Sequence, residues 1–219
     1  MRRRKEPPIP CFNCGAHSQT RDHIPPRGVF PTPRPKTLIT VPACHACNSE
    51  SKLDDEYFRW FVASVGDQTE ASDALIQERI IPRFRERPAL LKTIMEKSKV
   101  VDVFSKGGIW LERRPAFEFD RPRIQRVVAK IVRGLYLHEF GERLEGARVE
   151  DFVLNPEDLS EEDKAYITSL PAKGAAPDIF SYRCQRDPED ARRSGWFLMF
   201  FFPKTLFFTM TSHAERGLT

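Results

Sequence analysis

Apolar residues recur at three- and four-residue intervals in two well-marked stretches of the chain. In the first, Leu53, Tyr57, Phe58, Trp60, Phe61 and Val65 share one face, while Asn48, Lys52, Asp55 and Arg59 share the other. In the second, residues 123–140, Ile124, Val127, Val128, Ile131, Val132, Leu135 and Tyr136 form an unbroken stripe. Both patterns predict amphipathic helices. The face opposite the second stripe carries Arg123, Arg126, Lys130 and Arg133. Such a row can track a nucleic-acid backbone or stand in solvent, and with no aromatic neighbours the solvated face has the stronger claim. Residues 70–99 read as two helices broken near Pro88, with Leu75, Ile80, Ile81, Leu90, Leu91, Ile94 and Met95 inward. A polar stretch, 155–178, reads as a linker holding one short helix at 160–169.

Strand patterns occupy the rest. Residues 100–104 and 109–112 flank Lys106-Gly107-Gly108, a hairpin turn. Residues 179–185, 195–202 and 205–211 are rich in Phe and β-formers and predict an antiparallel meander, with Pro203-Lys204 as one tight connection. Near the N-terminus a short polar strand ends at Arg21-Asp22-His23. A loop follows, punctuated by Pro25, Pro26, Gly28, Pro31, Pro33 and Pro35, and then a second strand at 37–41. The fold class expected is α+β.

Composition narrows the class. The chain has 219 residues, of which 40% are hydrophobic and 30% charged, values of a globular chain able to bury a core. The start of the sequence, four basic residues followed by prolines, lacks the apolar run of a secretory signal. No apolar stretch approaches a bilayer span, so no membrane partner and a cytoplasmic location are expected. The formal charge is +4. Residues 1–65 hold 10 Lys/Arg against 6 Asp/Glu, leaving 25 of each in the remainder. The basic surplus therefore sits in the N-terminal part, as a polyanion-binding segment would place it.

Four of the five cysteines form two CxxC pairs, Cys11 with Cys14 and Cys44 with Cys47. Two such knuckles supply the four soft ligands of tetrahedral zinc. A disulfide framework fits less well a chain of this size with its own core and no export signal. His17 and His45 are bystanders to a shell already complete. Cys184 lies in an alternating stretch with Phe180 and Tyr182 and reads as a buried strand residue.

Between the knuckles lie 29 residues, more than a plain zinc ribbon needs. The insert and the helix that follows the second knuckle bring the groups that phosphodiester hydrolysis requires, a base and a cation converging on one phosphorus. His23 is a base with an ordinary pKa near 6.5. Asp22 and Asn48 offer oxygens to a hard divalent ion such as Mg²⁺. Lys52, one turn beyond Asn48, can reach the same phosphate. Because consecutive strand residues face opposite ways, Asp22 and His23 can serve one site only if the strand ends there.

Cys11-Phe12-Asn13-Cys14-Gly15, Asp22-His23-Ile24-Pro25 and Cys44-His45-Ala46-Cys47-Asn48 with Lys52 together resemble an HNH endonuclease of the ββα-metal superfamily, in its CxxC zinc-bearing form. The resemblance covers residues 11–59. It implies Asp22 and Asn48 as ligands of the catalytic ion, His23 as general base and Lys52 as a phosphate contact. DNA ahead of RNA is the expected substrate, with 5′-phosphate and 3′-hydroxyl products. Many enzymes that nick one strand need a partner to cut both, which would call for a homodimer. The family's middle Asn, which braces the base-bearing loop, is replaced by Ile39, so Thr37 or Thr40 would have to take over. The organisation expected is a basic Pro-rich arm (1–10), the nuclease module (11–65) and an α+β C-terminal domain (66–219). A nucleic-acid-binding or regulatory protein with a degenerate site is the alternative, and a structural zinc knuckle serving a protein-binding domain is a third.

The cysteine pattern generates the first prediction. Structural zinc contributes ~10–16 kcal/mol of apparent binding energy in small zinc peptides. Cys44→Ser is therefore expected to lose bound metal and to melt at a markedly lower temperature. A variant that keeps both its metal content and its melting point would refute the zinc reading.

Overall fold

The computed structural model describes residues 9–65, 68–105, 107–201 and 205–213. Most of the basic arm, Lys106 of the hairpin turn, Phe202 and the Pro203-Lys204 connection lie outside the described residues.

The chain opens with an antiparallel pair, β1 (Thr20–His23) and β2 (Thr40–Ala43), registered Thr20 to Ala43 and His23 to Thr40. β2 starts three residues later than the sequence pattern suggests. By pattern alone Pro42 ends the strand at Val41, yet at the edge of a two-stranded pair its missing N–H costs nothing. Its carbonyl instead accepts from Phe12 N–H at 2.9 Å. The loop between the strands is held by a 3₁₀ turn at Arg27–Val29, with Val29 and Phe30 buried.

Helix α1 (His45–Glu50) meets α2 (Lys52–Ser64) at Ser51. The helical segment thus begins at Cys44, whose sulfur accepts from the Cys47 N–H at 3.4 Å and caps the first turn. Tyr57, Phe58, Trp60 and Phe61 are buried as their spacing predicts, but Leu53, expected on the same face, is 60% exposed. It lies at the rim of a cleft.

The helical stretch that follows is more broken than the pattern suggests. α3 (Glu70–Leu75) runs through a π turn at Ile76–Ile80 into α4 (Ile81–Glu86), and α5 (Pro88–Glu96) begins at the expected proline. Pro82 explains the extra break, since it has no N–H to give the carbonyl one turn back and the wider turn absorbs the defect. Leu75, Ile80 and Ile94 are core, whereas Met95 is exposed. The hairpin β3 (Ser98–Phe104) and β4 (Trp110–Phe117) extends well beyond residue 112.

α6 (Arg121–Phe140) is capped by Asp120, whose carboxylate accepts from Arg123 N–H at 3.3 Å, and it stops at Gly141, which has a φ of +69°. After it come β5 (Ala147–Leu154), α7 (Glu161–Ser169), β6 (Lys173–Ala176), β7 (Phe180–Arg186), β8 (Ser194–Phe200) and β9 (Thr205–His213). The five strands form one antiparallel sheet in the order β5-β9-β8-β7-β6. The meander is present, lengthened by β6 from the stretch expected to be linker and by β5 on its far edge. Ser160 and Asp163 cap α7 reciprocally, the arrangement that fixes its start.

One face of this sheet receives both long helices. The Phe58 ring of α2 sits 5.3 Å from Phe200 and 5.9 Å from Phe207, and Tyr136 of α6 is 6.4 Å from Trp196. A continuous apolar core runs from Cys11 and Phe12 to Phe207. Burying each such side chain contributes roughly 1.5–3 kcal/mol. The opposite face, with Phe197, Met199 and Leu206, is covered by Ile167 of α7.

The approach of α6 to the first hairpin is close. A Cβ on Gly134 would lie 2.5 Å from Ile24 Cγ1 and 2.6 Å from its Cδ1, inside a packed core with Ile24 itself buried. Gly134→Ala is expected to destabilise the protein by ~1–3 kcal/mol, the usual cost of overpacking, as read by denaturant melts. An unchanged or raised midpoint would mean that the two elements are free to separate.

Candidate functional site

The four paired cysteines meet at one point. Their sulfurs all lie within 4.8 Å of one another, and Cys14 Sγ is 3.6 Å from Cys44 Sγ. Metal–sulfur bonds of ~2.3 Å in a tetrahedron place sulfurs roughly 3.8 Å apart, so the cluster has the dimensions to hold a metal ion such as zinc. Despite burial, backbone hydrogen bonds at Cys14, Cys44 and Asn13 lower the Cys11 thiol to about 7. Burial, with the neighbouring sulfurs, pushes Cys47 up to about 12. Four thiolates at this separation need a cation among them. His17 and His45 are exposed and outside the cluster, and Cys184 is half-buried on β7.

The cluster ties the entrance of β1 to the entrance of α1, and beside these two elements opens a cleft of about 630 Å³. Asp22, His23, Asn48 and Lys52 all line it, as do Asp55 and Arg59 of α2. β1 ends at His23, which is how adjacent residues come to face one cleft. Burial, then the charges of Arg27 and Arg34, lower the His23 pKa against the opposing pull of Asp22, so its imidazole is neutral at neutral pH.

Each of the other three groups has a distinct setting. Asn48 Nδ2 donates to Thr20 Oγ1 at 3.0 Å and to the Arg21 carbonyl at 3.4 Å, stapling α1 to β1 and leaving its own oxygen without a hydrogen bond among the described residues. Asp22 is only 8% exposed. Its Oδ1 accepts from the His23 N–H at 2.8 Å, while Oδ2 is buried without a hydrogen bond among the described residues. Lys52 is exposed and makes no ion pair among the described residues.

Neither threonine takes over the bracing role. Thr40 Oγ1 accepts from Arg21 Nε at 2.9 Å, Thr37 is exposed, and Ile39 packs against the core. Beyond the end of the strand pair a backbone bond, Ile24 N–H to the Ile39 carbonyl at 2.9 Å, ties the two sides of the loop. The His23 imidazole itself has no hydrogen-bond partner among the described residues.

The sequence pattern misses Lys130. It reads as a member of a solvent-facing basic row, but it is 6% exposed. Its ammonium lies 2.7 and 2.8 Å from the two oxygens of Asp55, 3.0 Å from Ser51 Oγ and 3.5 Å from Asp22 Oδ2. Burial pushes the Asp55 carboxyl up, against the pull of Lys130. The rest of the row stays nearer solvent, Arg126 exposed as expected and Arg123 and Arg133 half-buried. Arg126 meets Asp54 at 2.6 Å, Arg123 approaches Asp54 at 3.6 Å, and Arg133 donates to Asn13 at 3.4 Å. The signal available was Gly134, one turn beyond Lys130, a small residue beside a supposedly free face.

Set against models of known protein families, against curated proteins and against solved structures, the chain matches none.

The Lys130 network predicts a coupling. Lys130→Met should cost about 3 kcal/mol, the lower end for breaking a buried pair, because Asp55 is partly open to the cleft. Lys130→Met combined with Asp55→Leu should recover part of that loss and not all of it, since the Asp55 charge leaves with that of Lys130 while Asp22, 3.5 Å from the ammonium, still loses its partner. Chemical denaturation of the four proteins of this cycle measures it, and additive losses would show that the pairing holds nothing.

Proposed function

We propose that residues 11–59 form a CxxC-type ββα-metal module, stapled by zinc on the four cysteines, and that the protein is an HNH-type endonuclease hydrolysing phosphodiester bonds of DNA. The observation that carries this reading is the meeting of His23, Asp22, Asn48 and Lys52 in one cleft. They come from β1, α1 and α2, beside a four-sulfur cluster that spans the entrances of two of these elements.

His23 is neutral and without a hydrogen-bond partner among the described residues, so Nδ1 or Nε2 can accept the proton of an attacking water. Asp22 Oδ2, buried with no hydrogen bond among the described residues and 3.5 Å from the Lys130 ammonium, and Asn48 Oδ1, left over when Nδ2 binds β1, are hard oxygen donors of the kind Mg²⁺ takes. Such an ion, when bound, supplies stabilisation for the charge gathering on the phosphoryl and leaving oxygens. Lys52 adds a mobile positive charge at the mouth, able to hold the strand as a point contact. Lys130 keeps to the interior, where its contacts fix Asp55 and one edge of Asp22.

A second reading, a nucleic-acid-binding protein with a degenerate site, is favoured by one feature, the absence, among the described residues, of any side chain bracing His23 across from Ile39. Incubating the full chain with supercoiled plasmid and Mg²⁺, Mn²⁺ or no metal separates the two. Metal-dependent nicking that falls at least ~10²-fold in His23→Ala, the scale of a lost general base, is the expected result. Plasmid binding without nicking under any metal would decide for the second reading.

A further inference from the structure

Beyond His23 the cleft is walled by arginines that the hydrolytic reading leaves unused. Arg27 stands in the 3₁₀ turn, Arg59 on α2 and Arg79 in the π turn, and all three line the cleft. Arg34, from the proline-rich loop, is close enough to Arg27 and Arg79 for their charges to act on it, and it acts in turn on Arg59. The Nε–H groups of Arg34, Arg59 and Arg79 are buried and have no hydrogen-bond partner among the described residues.

The acids nearby are already engaged. Glu56 is held by Arg83 Nε at 2.5 Å and stands 4.0 Å from Arg59, while Glu78 accepts from the Thr32 N–H at 3.0 Å. Arg79 spends one Nη on Thr32 Oγ1 at 3.0 Å. Gly28 makes room for the group, since a Cβ there would lie 3.0 Å from Arg59 Nη1. Burial lowers the pKa of both Arg34 and Arg59; the charges of Arg79 and Arg27 add to it at Arg34 against the pull of Glu78, while at Arg59 the pull of Glu56 opposes it and the charges of Arg83, Arg79 and Arg34 add to it.

Like charges gathered with donors unsatisfied are costly unless an anion joins them, and a guanidinium fork presents paired N–H groups that match phosphate oxygens. We propose that Arg27, Arg59 and Arg79 form a phosphate subsite that grips a backbone phosphate of the nucleic-acid strand beside the one facing His23. The placement relative to a scissile bond rests on the nuclease reading; the anion site does not. The hydrolytic centre is made of Asp22, His23, Asn48 and Lys52, and none of these arginines is among them. The subsite would set register along the strand without reading its bases.

The test measures binding apart from cleavage. In a His23→Ala background, a fluorescein-labelled DNA duplex, the matching single strand and the matching RNA are titrated at several salt concentrations, with fluorescence anisotropy as readout. Arg59→Gln/Arg79→Gln should weaken binding roughly tenfold or more and flatten the slope of log K against log salt by about 1 for each phosphate no longer gripped. Arg27→Gln, at an exposed position, should do the same in smaller measure and covers the case where the double variant folds poorly. Arg113→Gln, in the β3–β4 hairpin, should change neither quantity. Unchanged affinity and slope in folded Arg27→Gln and Arg59→Gln/Arg79→Gln would overturn the subsite, even if the wild type nicks plasmid. Arginine-dependent binding by a protein that never nicks would support the subsite and overturn the nuclease. The nucleic acid whose affinity depends most on these arginines identifies the strand the subsite takes.

Discussion

A lysine taken out of water has to be answered by a carboxylate, and Lys130 is answered by Asp55, Asp22 and Ser51 together. Nothing in α6 alone explains why a lysine should sit in the buried length of that helix. Nothing in the first hairpin alone explains how Asp22 is tolerated with so little exposure. Each is tolerable because of the other, since an isolated buried charge costs several kcal/mol and a paired one far less. The contact therefore couples two things that sequence distance separates, the packing of α6 against the first module and the disposition of acids at the base of the cleft. The close fit of Gly134 against Ile24 is the steric half of the same junction, and the ion pairs from Arg123 and Arg126 to Asp54 continue it along the helix.

This junction also explains which parts of the architecture could be read from the sequence. Local signals were sufficient for α2 and α6, whose apolar stripes are long, and for β7, β8 and β9, whose Phe-rich composition admits little else. The cysteine spacing was legible because metal chemistry permits few ligand sets, and the strand end at His23 followed from needing two adjacent residues on one side. β5 was not legible, because its Arg, Glu and Asp among eight residues hide an alternation that only pairing with β9 reveals. β6 is a four-residue edge strand in a polar stretch, held by its neighbour rather than by its own propensity. Lys130 belongs to the same category. A lysine's letter says nothing of its burial; the carboxylate that makes burial tolerable lies 75 residues away.

The charges of the cleft are sorted along its length. Asp22 and Asp55 share the buried ammonium of Lys130, with Lys52 exposed beside them; towards Arg59 and Arg79 the arginines outnumber the acids and have donors to spare. A surface merely seeking solubility would interleave the two signs, each screening the other. Segregation at this scale creates a gradient instead, with a cation-seeking end and an anion-seeking end in one groove. A phosphodiester strand accompanied by a divalent ion has the complementary arrangement, which is why the two proposals made for this cleft support each other while resting on different residues.

The unbraced imidazole is the remaining constraint. A base contributes through its orientation, and here no side chain of the described residues fixes the His23 ring. The backbone does part of that work, because the Asp22 carboxylate accepts from the His23 N–H and the Ile24 N–H reaches the Ile39 carbonyl, so the Cα–Cβ vector is held even though the ring is free to turn. Rotation about Cα–Cβ and about Cβ–Cγ leaves two degrees of freedom that a bound phosphate could settle by accepting a hydrogen bond from the ring's N–H. On the proposed reading, strand binding and base alignment would then be one event. The arginine end of the cleft would bear on the rate as well as on affinity, since a strand gripped out of register would leave the ring without its partner.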